Sequence, residues 1–139
     1  MRVLALDIGD KTIGVAASDP LGWTAQGVET IQRTSNKNDL QRLRELVARF
    51  DAKILVIGLP KNMDGTEGER CQFVKNFASK ISAALPQVEQ YFWDERLSTV
   101  AATNILLEAD LSRKKRKKVI DKMAAVYILQ GFLDSRQTS

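Results

Sequence analysis

The chain has no histidine and one cysteine, Cys71, in 139 residues. Without imidazole there can be no Ser-His-Asp or Cys-His nucleophile pair, no imidazole acid/base couple and no His-ligated zinc. A lone cysteine excludes an internal disulfide and a cysteine-cluster zinc site, and it fits a reducing compartment. Three prolines and eight glycines are scattered, with no linker, repeat or low-complexity tract. No apolar run approaches the ~18–20 residues that span a bilayer. The start, one Arg and a short apolar stretch followed by charge, is not a signal peptide. The expectation is a cytoplasmic protein with no membrane association. Any catalysis must run on carboxylates, Lys, Arg, Ser, Thr or Tyr, with a hard metal as the natural helper.

What remains is an ordinary globular composition, 44% apolar and 27% charged. This length suits a single domain over 1–139, large enough to bury roughly two-thirds of its unfolded surface. Ser135–Ser139 reads as a frayed polar tail. The net charge of +4 is unevenly spread. Residues 113–122 hold seven cations (Arg113, Lys114, Lys115, Arg116, Lys117, Lys118 and Lys122) against Asp121 alone. The other 14 basic and 16 acidic side chains leave the rest slightly negative. Such a stripe attracts polyanions by counterion release, or it is a solvated loop and helix start.

Val3–Asp7, Thr12–Ser18 and Trp23–Ile31 read as strands joined by Gly9-Asp10-Lys11 and Asp19-Pro20-Leu21-Gly22, an antiparallel meander. Asn38 is a candidate N-cap for a helix whose apolar stripe is Leu40, Leu43, Leu46, Val47 and Phe50. Ile54–Gly58 is apolar on both faces, as a central parallel strand is. Thr66 and Glu69 form a T-x-x-E capping box before a helix with Val74, Phe77, Ala78, Ile81 and Leu85 on one face, ended by Pro86. Val88–Trp93 is a last strand. A helix capped by Ser98 follows, then the basic run, then an amphipathic helix through Ile120, Met123, Ala124, Tyr127, Ile128 and Gly131. The predicted class is α/β: a mixed five-stranded sheet, a three-stranded antiparallel meander plus two parallel strands, with helices on both faces, as in ribonuclease-H-like proteins.

Three acidic positions stand out. Asp7 ends the first strand on the face of Val3 and Ala5, where it is either a turn-capping Asp or a carboxylate needing a cation. Asp94-Glu95 ends the last strand, where sites in open α/β sheets collect; one can bind metal while the other caps the following helix, or either simply forms a surface pair with Arg96. Asp121 lies in line with Ala125, Ile128 and Phe132, and is also a natural helix-start acid. Meeting in one cleft, these carboxylates would hold Mg²⁺ or Mn²⁺ for phosphodiester hydrolysis, a chemistry that needs no histidine. Lys61, Asn62 and the amides near Thr66 can bind phosphate or simply close a capped loop, and the same holds for Lys11 and Thr12 in the first turn. Trp23, Tyr91 and Trp93 suit core packing better than base stacking.

The segments Asp7-Ile8-Gly9-x-Lys11-Thr12-Ile13-Gly14-Val15-Ala16, Gly58-Leu59-Pro60-x-Asn62-Met63-Asp64-Gly65-Thr66-Glu67, Asp94-Glu95-Arg96-Leu97-Ser98-Thr99 and Lys118-Val119-Ile120-Asp121 occur in that order. Together they resemble the YqgF family, also called RuvX or Holliday-junction-resolvase-like proteins, over nearly the whole chain. The resemblance implies a ribonuclease-H-like fold related to the RuvC resolvase, a bacterial cytoplasmic location, and a nuclease role in maturing the 5′ end of pre-16S ribosomal RNA. It maps a catalytic, metal-holding triad onto Asp7, Glu95 and Asp121. Where RuvC resolvases have a further acid, three residues after Asp121, this chain has Ala124.

The leading expectation is a metal-dependent endonuclease acting on structured RNA, with ribosomal particles as a further partner. Lys11, Asn62 and Arg96 would orient phosphates, and Lys114, Lys115, Lys117 and Lys118 would hold the polyanion. A branched-DNA resolvase, which would need paired active sites in a dimer, and a nonenzymatic RNA-binding factor are the alternatives. An ATPase of the actin and sugar-kinase type shares the Asp-x-Gly turn but needs two related subdomains, and this chain supplies one.

Overall fold

A computed structural model describes residues 2–97 and 113–137, with the backbone alone for 113–121 and 137. The predicted helix beginning at Ser98 lies outside the described residues. Five strands form one sheet: β1 (Arg2–Ile8), β2 (Thr12–Ser18), β3 (Ala25–Gln32), β4 (Ala52–Leu59) and β5 (Glu89–Asp94). Their order is β3-β2-β1-β4-β5. The β1–β2 and β2–β3 pairs are antiparallel, and β1–β4 and β4–β5 are parallel. This is the mixed sheet expected, with β1 central because its residues are apolar toward both faces.

Alternation along β1 and β4 divides the core. Leu4, Leu6, Ile8, Leu55, Ile57 and Leu59 pack beneath α1 (Asn36–Phe50) and α2 (Glu69–Ala84). Val3, Ala5, Ile54 and Val56 face α3 (Arg113–Gln137). Helix α3 contributes Ala125, Ile128, Leu129, Phe132 and Leu133 to that face, the i, i+3, i+4, i+7, i+8 stripe of a helix laid on a sheet. Each fully buried Ile or Leu in it is worth about 1.5–3 kcal/mol. The stripe is rotated from the one expected: Met123 and Tyr127 are half-buried, while Leu129 and Leu133 are inside. Small residues let the helix approach closely. A side chain at Gly27 would collide with the Lys122 stem, and one at Gly131 would meet the Trp93 ring.

Three local expectations need correction. Helix α1 is capped by Ser35, whose side chain accepts the Asn38 amide, so Asn38 is the third helical residue and not the cap. The Thr66–Glu69 capping box does not form. Asp64 accepts both the amide and the hydroxyl of Thr66, at 2.9 and 2.6 Å, and this Asx turn displaces the start of α2 to Glu69, after Gly68,. The basic run is not a loop before the last helix, since α3 is already helical from Arg113. At the other end α3 continues to Gln137; 138 and 139 lie outside the described residues. No described helix is long and apolar enough to cross a membrane.

Candidate active site: a carboxylate pair at the strand ends

Asp7 stands one position beyond the β1–β4 contact of Leu6 with Ile57, and strand alternation puts it on the α3 face with Val3 and Ala5. Two strands away, β5 ends at Asp94, and Glu95–Leu97 form a single 3-10 turn. That turn separates the two adjacent acids. Asp94 accepts the amide of Arg96 at 3.0 Å and receives its guanidinium, with Nη2–Oδ2 at 2.6 Å. The hydrogen bonds from the Arg96 guanidinium therefore hold Asp94 below the usual carboxylate range, with its backbone amide and its charge adding to the effect. Asp94 is committed to its own turn, and Glu95 is released toward Asp7.

The space Glu95 enters exists because residue 58 is glycine. A Cβ there would lie 2.5 Å from Glu95 Oε1 and 2.5 Å from the Ile128 Cδ1 methyl. The requirement is steric, not conformational. The glycine lies in β4 without a positive φ. The Gly58→Ala protein is expected to fold with Glu95 displaced from Asp7 and to lose at least about tenfold in turnover, on the scale of misplacements of about 1 Å. Turnover equal to wild type would show that the position of Glu95 does not matter.

Burial pushes the Glu95 carboxyl up to about 8, followed by the Asp7 charge and a hydrogen bond shared with Asp7; Arg70 opposes the shift. Two carboxyls in one apolar-backed cleft cannot both ionise cheaply. They share a proton, or they take up a cation. Among the described residues the acids form this pair and not a triad. The side chain of Asp121, the third predicted acid, lies outside the described residues, as do those of Lys114, Lys115, Lys117 and Lys118; their backbone belongs to α3.

The predicted phosphate-contacting residues stand as follows. Lys11 is exposed at the β1–β2 turn and has no carboxylate partner among the described residues. The Asn62 amide donates to the Thr66 hydroxyl at 2.9 Å and packs against Gly68, so it closes the β4–α2 loop. Arg96 holds the same loop, donating to the Met63 carbonyl at 3.2 Å while lying against Gly65, whose φ of +89° suits glycine,. Asn62 and Arg96 thus shape the rim of the cleft from within.

Sequence reasoning passed over Arg33. Its amide donates to the Lys11 carbonyl at 2.8 Å, and its guanidinium donates to the Gly9 carbonyl at 2.9 Å and to buried Asp39 at 3.0 Å. One residue grips the turn after Asp7 at two carbonyls and ties it to α1. The guanidinium also lies over Phe77, 4.4 Å from the ring centre. An Arg at a strand end gives no sequence signal for this, because its partners come from three other elements. A cavity of about 620 Å³ opens elsewhere, lined by Arg2, Pro20, Arg49, Phe50, Asp51 and Lys53; it holds none of the predicted site residues.

Comparison with known proteins agrees with this architecture. The family model described as RuvX, Holliday junction resolvase, matches residues 1–135. A protein of Clostridium beijerinckii named "Putative pre-16S rRNA nuclease" is 56% identical over 134 residues, 96% of each chain. One of the same name from Clostridium tetani is 54% identical and covers 97% of each. Among solved structures, Thermus thermophilus RuvC in complex with a Holliday junction superposes with a TM-score of 0.60 at 14% identity, covering 99% of this chain and 96% of that one. The fowlpox virus resolvase with its junction gives 0.58 at 9% identity, covering 98% and 99%. At those identities the likeness is one of fold, and it fixes the ribonuclease-H-like class. With a family match spanning nearly every residue and close relatives of the same length, the chain belongs to the RuvX family of Holliday-junction-resolvase-like nucleases.

Proposed function

We propose that this protein is a divalent-metal-dependent endonuclease that hydrolyses phosphodiester bonds in structured RNA, and that its substrate is the 5′ end of pre-16S ribosomal RNA. The observation that carries the reading is the Asp7–Glu95 pair seated over Gly58. Its all-oxygen donor set and the mutual repulsion of its two carboxyls suit Mg²⁺ or Mn²⁺,. Such an ion, when bound, would supply Lewis-acid charge to the attacking water and the leaving oxygen.

The chain's own residues supply the rest. Asp7 and Glu95 would hold the ion and orient water, with Asp121 proposed as a third carboxylate one helical turn before buried Ala125. Lys11 faces the backbone of the bound strand, and Asn62 and Arg96 keep the rim of the cleft in shape for it. The seven cations of residues 113–122 provide a salt-sensitive hold on a polyanion,. The names of the clostridial relatives support ribosomal RNA as the target and, by extension, ribosomal particles as the setting. A cytoplasmic location accords with that role.

A second reading, cleavage of branched DNA, is favoured by one finding, the family's description as a resolvase. Against it, residue 124 is a buried alanine where the resemblance to RuvC would put a fourth acid. Incubating the protein with a 5′-extended 16S precursor fragment and with a four-way DNA junction, each with Mg²⁺, Mn²⁺ or EDTA, separates the two. Cleavage of the RNA alone, lost in EDTA, is expected. Preferential junction cleavage would replace the RNA reading, and cleavage undiminished in EDTA would remove the metal.

A further inference from the structure

A cavity of about 310 Å³ is lined by Asp7 at one end and continues along the turn that follows it. The Gly9–Thr12 turn forms one wall and Arg70, from the first turn of α2, forms the other. Two cations border it. Lys11 has no carboxylate partner among the described residues. Arg70 donates Nη1 to Asp10 Oδ1 at 2.9 Å, both side chains being at least half exposed. The Arg70 guanidinium lies on the Phe73 ring, 5.2 Å from its centre, and Arg33 lies on the same ring at 5.7 Å. Phe73 therefore supports Arg70 while Arg33 fixes the turn that carries Asp10 and Lys11.

An exposed Arg–Asp pair contributes little stability and exchanges partners readily. A guanidinium presents two parallel donors to a phosphate as well as to a carboxylate. We infer that this cavity is a phosphate subsite, bound by Lys11 and Arg70, for the backbone phosphate next to the bond being cut, and that Asp10 holds Arg70 in place until that phosphate displaces it. The inference rests on the nuclease reading for the identity of the strand, but it makes a separate statement about anion binding. Asp10 is a competitor for Arg70, so removing either partner of the ion pair must have opposite consequences. A purely structural pair would give the same consequence from both ends.

The test measures binding of a fluorescein-labelled RNA hairpin to the intact chain in EDTA, where no cleavage intervenes, across about 50–200 mM KCl. Arg70→Gln and Lys11→Gln should each weaken binding about threefold or more and flatten the log–log salt slope by about 0.7–0.9, the loss of one phosphate contact. Asp10→Asn should tighten binding by about twofold or more. Arg70→Lys keeps the charge without the fork, and should keep the slope while losing part of the affinity. Thermal melts of each variant identify any that fail to fold, and the Lys11→Gln and Asp10→Asn arms then decide. If Asp10→Asn weakens binding as Arg70→Gln does, or if the slope is unchanged in both Arg70→Gln and Lys11→Gln, the subsite is wrong. Cleavage by the wild-type chain is scored separately. A chain that cuts RNA without the sign reversal loses the subsite and keeps the nuclease reading. Reversal without cleavage retains the anion site and removes that reading.

Discussion

Replacing Asp7 with Asn is expected to lower RNA cleavage by about a thousandfold or more, the scale on which an enzyme loses a group acting at the reacting centre. Asn preserves the volume and one acceptor oxygen, so the β1–β2 turn, held through backbone carbonyls by Arg33, should be undisturbed. What is removed is the negative charge that faces Glu95. The same substitution relieves the second-largest cause of the raised Glu95 carboxyl. The metal-free Asp7→Asn protein should therefore be at least as stable as wild type at pH 8, while being catalytically dead. That opposition separates a functional carboxylate from a structural one, whose loss would lower both readouts together. Cleavage and melting temperature measured on one preparation suffice. Wild-type cleavage by Asp7→Asn would end the proposal that this pair is the active centre.

The second large effect concerns stability against pH without divalent metal. Glu95 is raised from an ordinary value of 4.5 to about 8 in the folded chain. Between those values the folded state binds more protons than the unfolded one, so stability must fall as pH rises. The contribution of the protonated carboxyl is complete below about 4.5 and is lost as pH climbs through about 8. Allowing for relaxation and water entry around the pair, the loss is of order 2 kcal/mol, or roughly 5–10 °C in melting temperature for a chain of this size. Glu95→Gln keeps the shape and removes the titration. The difference between its melting profile and that of wild type in EDTA should widen steadily from pH 5 to 8.5, and millimolar Mg²⁺ should close the gap from the wild-type side. Parallel profiles across that range would show that the two carboxyls do not share a proton, and would take away the electrostatic basis for placing a cation there.

Much of the fold was readable because single-residue patterns determine it. Residues of β1 and β4 are apolar on both faces, which requires cover on both sides, and the polarity of Asp7 at the end of such a strand marks it as unusual before any neighbour is known. The choice between Asp94 and Glu95 was not readable without a family resemblance. It depends on Arg96 folding back two residues, a preference set by one tight turn and not by any periodicity. The capping box at Thr66 failed for a related reason: Asp64 was in reach of the same amide, and the sequence pattern contains both solutions. Gly58 and Arg33 were invisible as site residues because their effects are exercised on Glu95 and on the turn at Gly9, distant along the chain. The basic stripe shows the opposite limit. Its charge is plain in the composition, but its side chains lie outside the described residues, so its proposed contact with nucleic acid rests on charge alone.

The parallel pairing of β1 with β4 and of β4 with β5 has a consequence for biosynthesis. Asp7 leaves the ribosome well before Glu95, but it meets Glu95 only after two crossover connections have closed, and Ile128 completes the wall behind them later still. Contacts this remote in sequence form late, since the entropy of closing the intervening chain must be overcome first. A nascent or truncated chain thus carries single, separated acids and no paired centre. Synthesis of this protein takes place on the particle whose RNA its relatives are named for cutting, and the order of strands delays any capacity to cut until the segments carrying Glu95 and Ile128 have been made.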